Sequence, residues 1–246
     1  VDFLHTAFWI TVVLFIATYV RSTIGFGDAL LAMPLLGVMV SLQTATPLVA
    51  FMGLAASTVI TFIHWDTVDL RSAWRLIVAS LVGIPFGLVM LYLAPEGPVK
   101  LLLGVLVTLY GLYNLLRPGL PLLPHEKLAY PFGFIAGVLG GAYNTNGPPI
   151  VIYGTLRRWS PDDFRATLQC YFFFTNILIV AGHGLAGLWT PPVLWLWLYS
   201  TPLVALGIYL GEKSSRHIPK ELFQRFVYGL LIVAGLLFLV SSGGVL

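Results

Sequence analysis

"GGAYNTNGPPIVIYG", residues 140–154, decides how this chain reads. Apolar sequence flanks it on both sides, and no charged residue falls between Leu128 and Tyr153. Yet its centre holds two asparagines, a threonine and two adjacent prolines. These are residues that end helices and build turns. The apolar stretches 128–143 and 147–156 are too short to cross a membrane. Ten residues of helix rise about 15 Å, half of a hydrocarbon core of roughly 30 Å. Lipid cannot satisfy free backbone groups, so a break at that depth is buried in protein or lines a wet cavity. The stretch predicts two short helices meeting at a polar break.

The rest of the chain supplies the membrane. Of 246 residues, 58% are hydrophobic and 9% charged, against about 25% charged in a soluble domain. Such a chain cannot cover a water-facing surface, so the lipid bilayer is its expected solvent. Apolar segments fall at about 3–20, 24–40, 44–63, 73–94, 99–116, 128–143, 147–156, 166–186, 190–210 and 222–240. The expected class is an all-α integral membrane protein of about 8–10 transmembrane segments, some broken or re-entrant. Residues 3–20 lack a basic lead and a small-residue cleavage site, so they read as a membrane segment. The polar connections are too short for a separate soluble domain. The single cysteine, Cys170, excludes an internal disulfide. No nucleic-acid motif, metal-ligand spacing, nucleophile elbow or phosphate loop is present, so no cofactor or metal is expected. Scattered histidines and one thiol disfavour an enzyme.

Charge placement predicts orientation. Twelve of the thirteen Lys and Arg residues, all but Lys100, fall on one side if 64–72, 117–127, 157–165 and 211–221 are cytoplasmic and 24–40 and 44–63 both cross, which brings Arg21 to that side. Both termini are then extracytoplasmic. Trp189, Trp195, Trp197 and Tyr199 form the outer aromatic belt, and Trp65, Trp74 and Trp159 the inner one.

The two halves resemble each other. "GFGDALLAMPLLG" (25–37) repeats the layout of residues 140–154: glycines, a polar residue, then proline opening an apolar run. Gly83 and Gly87 align with Gly207 and Gly211, and Gly104 and Gly111 with Gly229 and Gly235. Residues 1–120 and 121–246 each hold five segments. Five is odd, so the halves enter the membrane from opposite sides. Inverted-topology repeats are typical of secondary transporters.

The breaks predict chemistry. A helix starting near Pro148 presents free N–H groups and the positive end of its dipole, with Asn146 or Gly147 as cap. By inversion, the helix that begins around Gly25, Gly27 and Ala29 points at the same place. With Asn144, Thr145, Asn146 and Gly147, these ends would cradle a small oxyanion. The competing reading is a kink whose side chains merely satisfy freed backbone. Asp28 is the sole acid deep in apolar sequence, a functional position by default. It repels an anion unless protonated, which makes it a candidate for proton coupling; otherwise it partners Arg21 or caps its helix. Gln169 and Asn176 share a helix face, as substrate ligands or as interhelical hydrogen-bond partners. Arg21 and Arg165 are expected at the cytoplasmic mouth. Cys170, His183 and His64 read as structural, and "YFFF" (171–174) as lipid- or core-facing.

"GFG" (25–27) with Pro34, "VDLR" (68–71), "GGAYNTNGPPIVIY" (140–153) and "FRATLQ" (164–169) together resemble the TauE/SafE sulfite exporter family. The resemblance spans nearly the whole chain, and the second-half motif is its most specific part. Asp28 departs from a first-half motif that is often richer in glycine. The resemblance implies export of sulfite, thiosulfate or small organosulfonates across a bacterial or archaeal inner membrane. The rival readings are a passive anion channel, an uptake permease for another small anion, and a structural subunit of a membrane complex. A homo-oligomer is compatible with each.

Overall fold

The computed structural model describes residues 3–63, 70–116, 125–159, 161–215 and 220–242. These form ten α-helices: α1 (Phe3–Ile24), α2 (Asp28–Met39), α3 (Leu42–Ile63), α4 (Leu70–Leu93), α5 (Glu96–Leu116), α6 (Ala129–Tyr143), α7 (Gly147–Leu156), α8 (Pro161–Leu185), α9 (Pro191–Ser215) and α10 (Lys220–Ser242). A 3-10 turn, Glu126–Leu128, leads into α6. Among the described residues, α1, α3, α4, α5, α8 and α9 are long and apolar enough to cross a membrane. The protein is therefore a multi-pass, all-helical membrane protein. His64, Trp65, Arg117 and Arg216 lie outside the described residues, as do the side chains of Arg71, Arg165 and Lys220.

The chain forms two compact units that cut across the sequence halves. One takes Val1–Val49, Leu93–Pro118 and Thr190–Leu246; the other takes Ala50–Tyr92 and Gly119–Trp189. The second unit holds the deciding stretch. Its α6 and α7 form a hairpin whose open end is tied by Glu126, before α6, facing Arg157, just after α7, at 3.8 Å. Phe132 packs on Tyr153 across the same end, 5.5 Å between ring centres. The chain goes in along α6, breaks, and returns along α7.

Glycine sets how closely α6 meets α4. Gly133, Gly137 and Gly141 recur every fourth residue, so they line one face. A Cβ on Gly133 would lie 2.5 Å from the Leu76 carbonyl, and one on Gly137 2.6 Å from Ser80 Cα. Gly141 approaches Ile84 in the same register, so the two helices run parallel. From the other side, Gly83 and Gly87 of α4 meet the backbone of Phe134 and Val138. Without a hydrophobic drive between helices in lipid, such small-residue seams carry the packing. The opposite face of α4 exposes Trp74, Val78, Val82 and Phe86, an apolar stripe suited to lipid. Ala50, Ile84, Ile179 and Val180 form a buried cluster joining α3, α4 and α8.

The first unit uses the same device. Gly207 of α9 approaches Phe15 and Thr18 of α1, and Gly211 approaches Tyr19 and Ser22. Thr11 and Ser200 share a hydrogen bond of 2.8 Å in the same register, so α1 and α9 also run parallel. The antiparallel α5 and α10 meet at Gly104 and Gly235: a Cβ on Gly104 would lie 3.0 Å from the Gly235 carbonyl. Gly229, aligned in sequence with this set, has nothing within 4 Å of its would-be Cβ and takes no part in the seam.

Candidate functional site

Helix α6 ends where Asn144 turns left-handed, at φ 57. Asparagine tolerates this conformation better than other non-glycine residues. The Asn144 N–H donates to the Gly140 carbonyl at 2.9 Å, an αL cap of the kind that closes many helices. Part of the Asn144 role is thus the turn itself. Thr145 and Asn146 follow, and α7 begins at Gly147. Asn146 has helical dihedrals, φ −73 and ψ −15, and makes no side-chain cap bond, so the expected capping by its side chain does not occur.

The start of α7 differs from a generic anion site in one respect. A helix leaves its first four N–H groups without intrahelical partners. Pro148 and Pro149 have no N–H, so Asn146 and Gly147 are the backbone donors at this end. The aligned peptide units still point the positive end of their dipole here, with fewer N–H groups to present it. Beside Gly147 there is room: a Cβ there would touch only Phe172, at 3.8 Å. Asn144, Thr145 and Asn146 are all buried, which leaves three polar side chains, two donors and a dipole end together in the interior of the unit.

Helix α8 completes this surrounding. The Asn146 amide donates to Thr175 Oγ1 at 3.4 Å, and Gly140 leaves space for the Asn146 side chain, since a Cβ there would sit 3.0 Å from it. Tyr171, one turn before Thr175, shares a hydrogen bond of 2.8 Å with Ser80, which donates to the Gly133 carbonyl at 2.7 Å. Tyr171 and Thr175 are fully buried, so the "YFFF" run hides a polar group facing inward. Gln169 and Asn176 are both buried. The Gln169 backbone carbonyl accepts from Thr61 at 3.4 Å, and the Asn176 side-chain amide donates to Ser57 at 3.3 Å. Both contacts run to α3, as interhelical polar links do. Cys170 is fully buried, and His183 places Nε2 3.2 Å from the Gly141 carbonyl.

The break between α1 and α2, in the other unit, is built differently. Gly25 and Gly27 adopt φ 103 and φ 99, a left-handed pair that glycine alone takes without strain. The Gly25 N–H closes α1 by donating to the Arg21 carbonyl at 2.6 Å, as Asn144 does to Gly140. Asp28 and Ala29 then open α2, and Pro34 sits inside that helix, not at its start. Arg21 Nη1 donates to Asp28 Oδ2 at 2.7 Å, with side chains 3% and 8% exposed. The head of α2 therefore carries its own carboxylate, matched to a buried guanidinium. Arg21 and Asp28 occupy the places that Gly140 and Gly147 hold in the second break.

The match to known proteins follows this architecture. The family model for the sulfite exporter TauE/SafE covers residues 10–238. The chain belongs to this family. It is 24% identical over 230 residues to the probable sulfite/organosulfonate exporter TauE of Cupriavidus necator, covering 89% of this chain and 88% of that protein. It is 29% identical over 174 residues to the probable inner membrane transporter protein TsaS of Comamonas testosteroni, covering 66% of this chain and 71% of that protein. No solved structure matches. The family and both relatives are transporters, so the protein is a membrane transporter and not an enzyme.

Proposed function

We propose that this transporter carries sulfite or a small organosulfonate and holds the anion at the head of α7. The observation that carries the reading is the buried Asn144-Thr145-Asn146 turn, with the dipole end and the Gly147 N–H beside it. The names of the family and of the Cupriavidus relative support the substrate class. Two inverted repeats, 1–120 and 121–246, are supported by the like pattern inside each compact unit: a helix, a left-handed break, a returning helix, and a glycine-bearing neighbour running parallel to the first. The placement of Lys and Arg supports extracytoplasmic termini in an inner membrane, with alternating access between the repeats. Proton coupling through Asp28 would require its carboxyl to part from Arg21 during the cycle.

The test is sulfite efflux from proteoliposomes. The Asn146 hydrogen bond to Thr175 is long, 3.4 Å, so losing it in Asn146→Ala should cost about 1 kcal/mol of stability or less. An anion that loses a charge-assisted hydrogen bond loses about 1.5–3 kcal/mol, or roughly tenfold to a hundredfold in affinity. Asn144→Gly keeps the left-handed turn and removes only the amide, and should behave likewise. Wild-type efflux in both variants would sink this site.

A further inference from the structure

A cavity of about 330 Å³ lies at the open end of the α6–α7 hairpin, among Trp74, Arg75, Glu126, Tyr153, Arg157 and Trp159. It is apart from the polar break, because Tyr153 and Arg157 stand at the far end of α7. Its charges are arranged around one carboxylate. Glu126 Oε2 accepts from Arg75 at 2.7 Å, and Glu126 Oε1 faces Arg157 at 3.8 Å. The carboxylate thus lies between two guanidiniums, bound closely by one and loosely by the other. It is also the most accessible of the three, 57% exposed against 32% for Arg75 and 23% for Arg157.

Aromatic rings stand among the charged groups of the wall. Arg75 stacks on Trp74 at 4.9 Å. Trp159 packs edge-on against Tyr153 at 5.6 Å between ring centres. Trp159 is fixed by backbone geometry: Arg158 turns left-handed at φ 52, and the Trp159 N–H donates to the Gly154 carbonyl at 3.1 Å. Gly154 has no side chain, so the indole lies against it; a Cβ there would meet the ring at 2.6 Å. The same turn puts Arg157 at the end of α7, where a cation suits the dipole.

The geometry points to a second anion site, a vestibule that takes a sulfonate-type oxyanion with a flat apolar tail between Arg75 and Arg157 by displacing the Glu126 carboxylate. A planar guanidinium pairs with a tetrahedral oxyanion through two N–H donors, as it does with a carboxylate. The indoles and the Tyr153 ring would receive the tail. Glu126 is a built-in competitor, and the negative end of α7 adds to it, so the site holds its ligand weakly and releases it. This inference rests on the reading of the chain as an anion transporter. The same oxyanion chemistry is offered by a phospholipid headgroup, which the test separates.

The experiment is titration of the full chain in phosphatidylcholine nanodiscs with benzenesulfonate, read by tryptophan fluorescence, with sulfite efflux measured beside it. Wild type should give a saturable change, and Trp74→Phe with Trp159→Phe should abolish it. Glu126→Gln should bind about tenfold tighter, and Arg75→Gln with Arg157→Gln at least tenfold weaker, on the scale of one charged hydrogen bond. These side chains are partly exposed, so the variants should fold. Asn146→Ala should leave the titration unchanged while efflux falls. If adding phosphatidylglycerol to the discs removes the response in wild type, the oxyanion held is that of a lipid headgroup. Indistinguishable curves for wild type, Glu126→Gln and the double arginine variant would overturn the vestibule. A normal titration with no anion efflux by wild type would instead overturn the transport reading and leave the pocket standing.

Discussion

Arg21→Ala should destabilise the folded protein by about 3–5 kcal/mol, because it leaves a buried carboxylate without its counter-charge. Asp28→Ala should do the same from the other side. The pair has a 2.7 Å contact and almost no exposure, so neither charge can turn to water when its partner goes. For a chain of this length that cost corresponds to roughly 10 °C in apparent melting temperature, measured on the purified protein in one detergent. Replacing both residues with leucine should recover most of the loss, since a well-packed apolar pair often equals a buried ion pair in stability. Single variants that melt with wild type would show that the pair is not structural.

The same variants separate two roles for Asp28. A structural partner predicts that Asp28→Asn lowers stability and leaves the pH profile of efflux unaltered. A coupling group predicts the reverse: stability near wild type, with the pH dependence lost. The position favours the structural role on two counts. Asp28 stands in the first turn of α2, where negative charge suits the dipole, and Arg21 in the last turn of α1, where positive charge does.

The breaks were legible because their residues act locally. Asn144 and the two prolines stop and restart the helix by their own backbone preferences, and the segments read as 128–143 and 147–156 are Ala129–Tyr143 and Gly147–Leu156 in the structure. What was not legible is partnership. Tyr171 sits in a run of phenylalanines, and only its contact with Ser80, far away in the chain, reveals it as polar lining. Glu126 looks like an ordinary loop acid until Arg75 and Arg157 are brought to it by α4 and α7. Hydropathy tells which residues leave water; it does not tell which helix they meet. The sequence does carry one signal of partnership. Gly133, Gly137 and Gly141 at four-residue spacing mark a close seam on α6, as Gly83 and Gly87 do on α4.

That seam yields the second large effect. Gly137→Leu should abolish a stable fold, and Gly137→Ala should cost about 1–3 kcal/mol, the usual range for overpacking. The reason is what the new atom meets. A Cβ on Gly137 lies 2.6 Å from Ser80 Cα and nearer still to its carbonyl. These are backbone atoms, which cannot rotate aside, so α4 and α6 must part. Parting them pulls Ser80 from the Gly133 carbonyl and from Tyr171, and so loosens the floor on which α8 presents Thr175 to Asn146. Gly229→Ala is the matched control, because nothing lies within 4 Å of its Cβ. There alanine should add about 0.5–1 kcal/mol, the ordinary gain over glycine within a helix. Opposite signs at the two positions, read as apparent melting temperatures, are the expected result. Equal and small shifts at both would mean that α4 and α6 are not held at the separation their glycines allow.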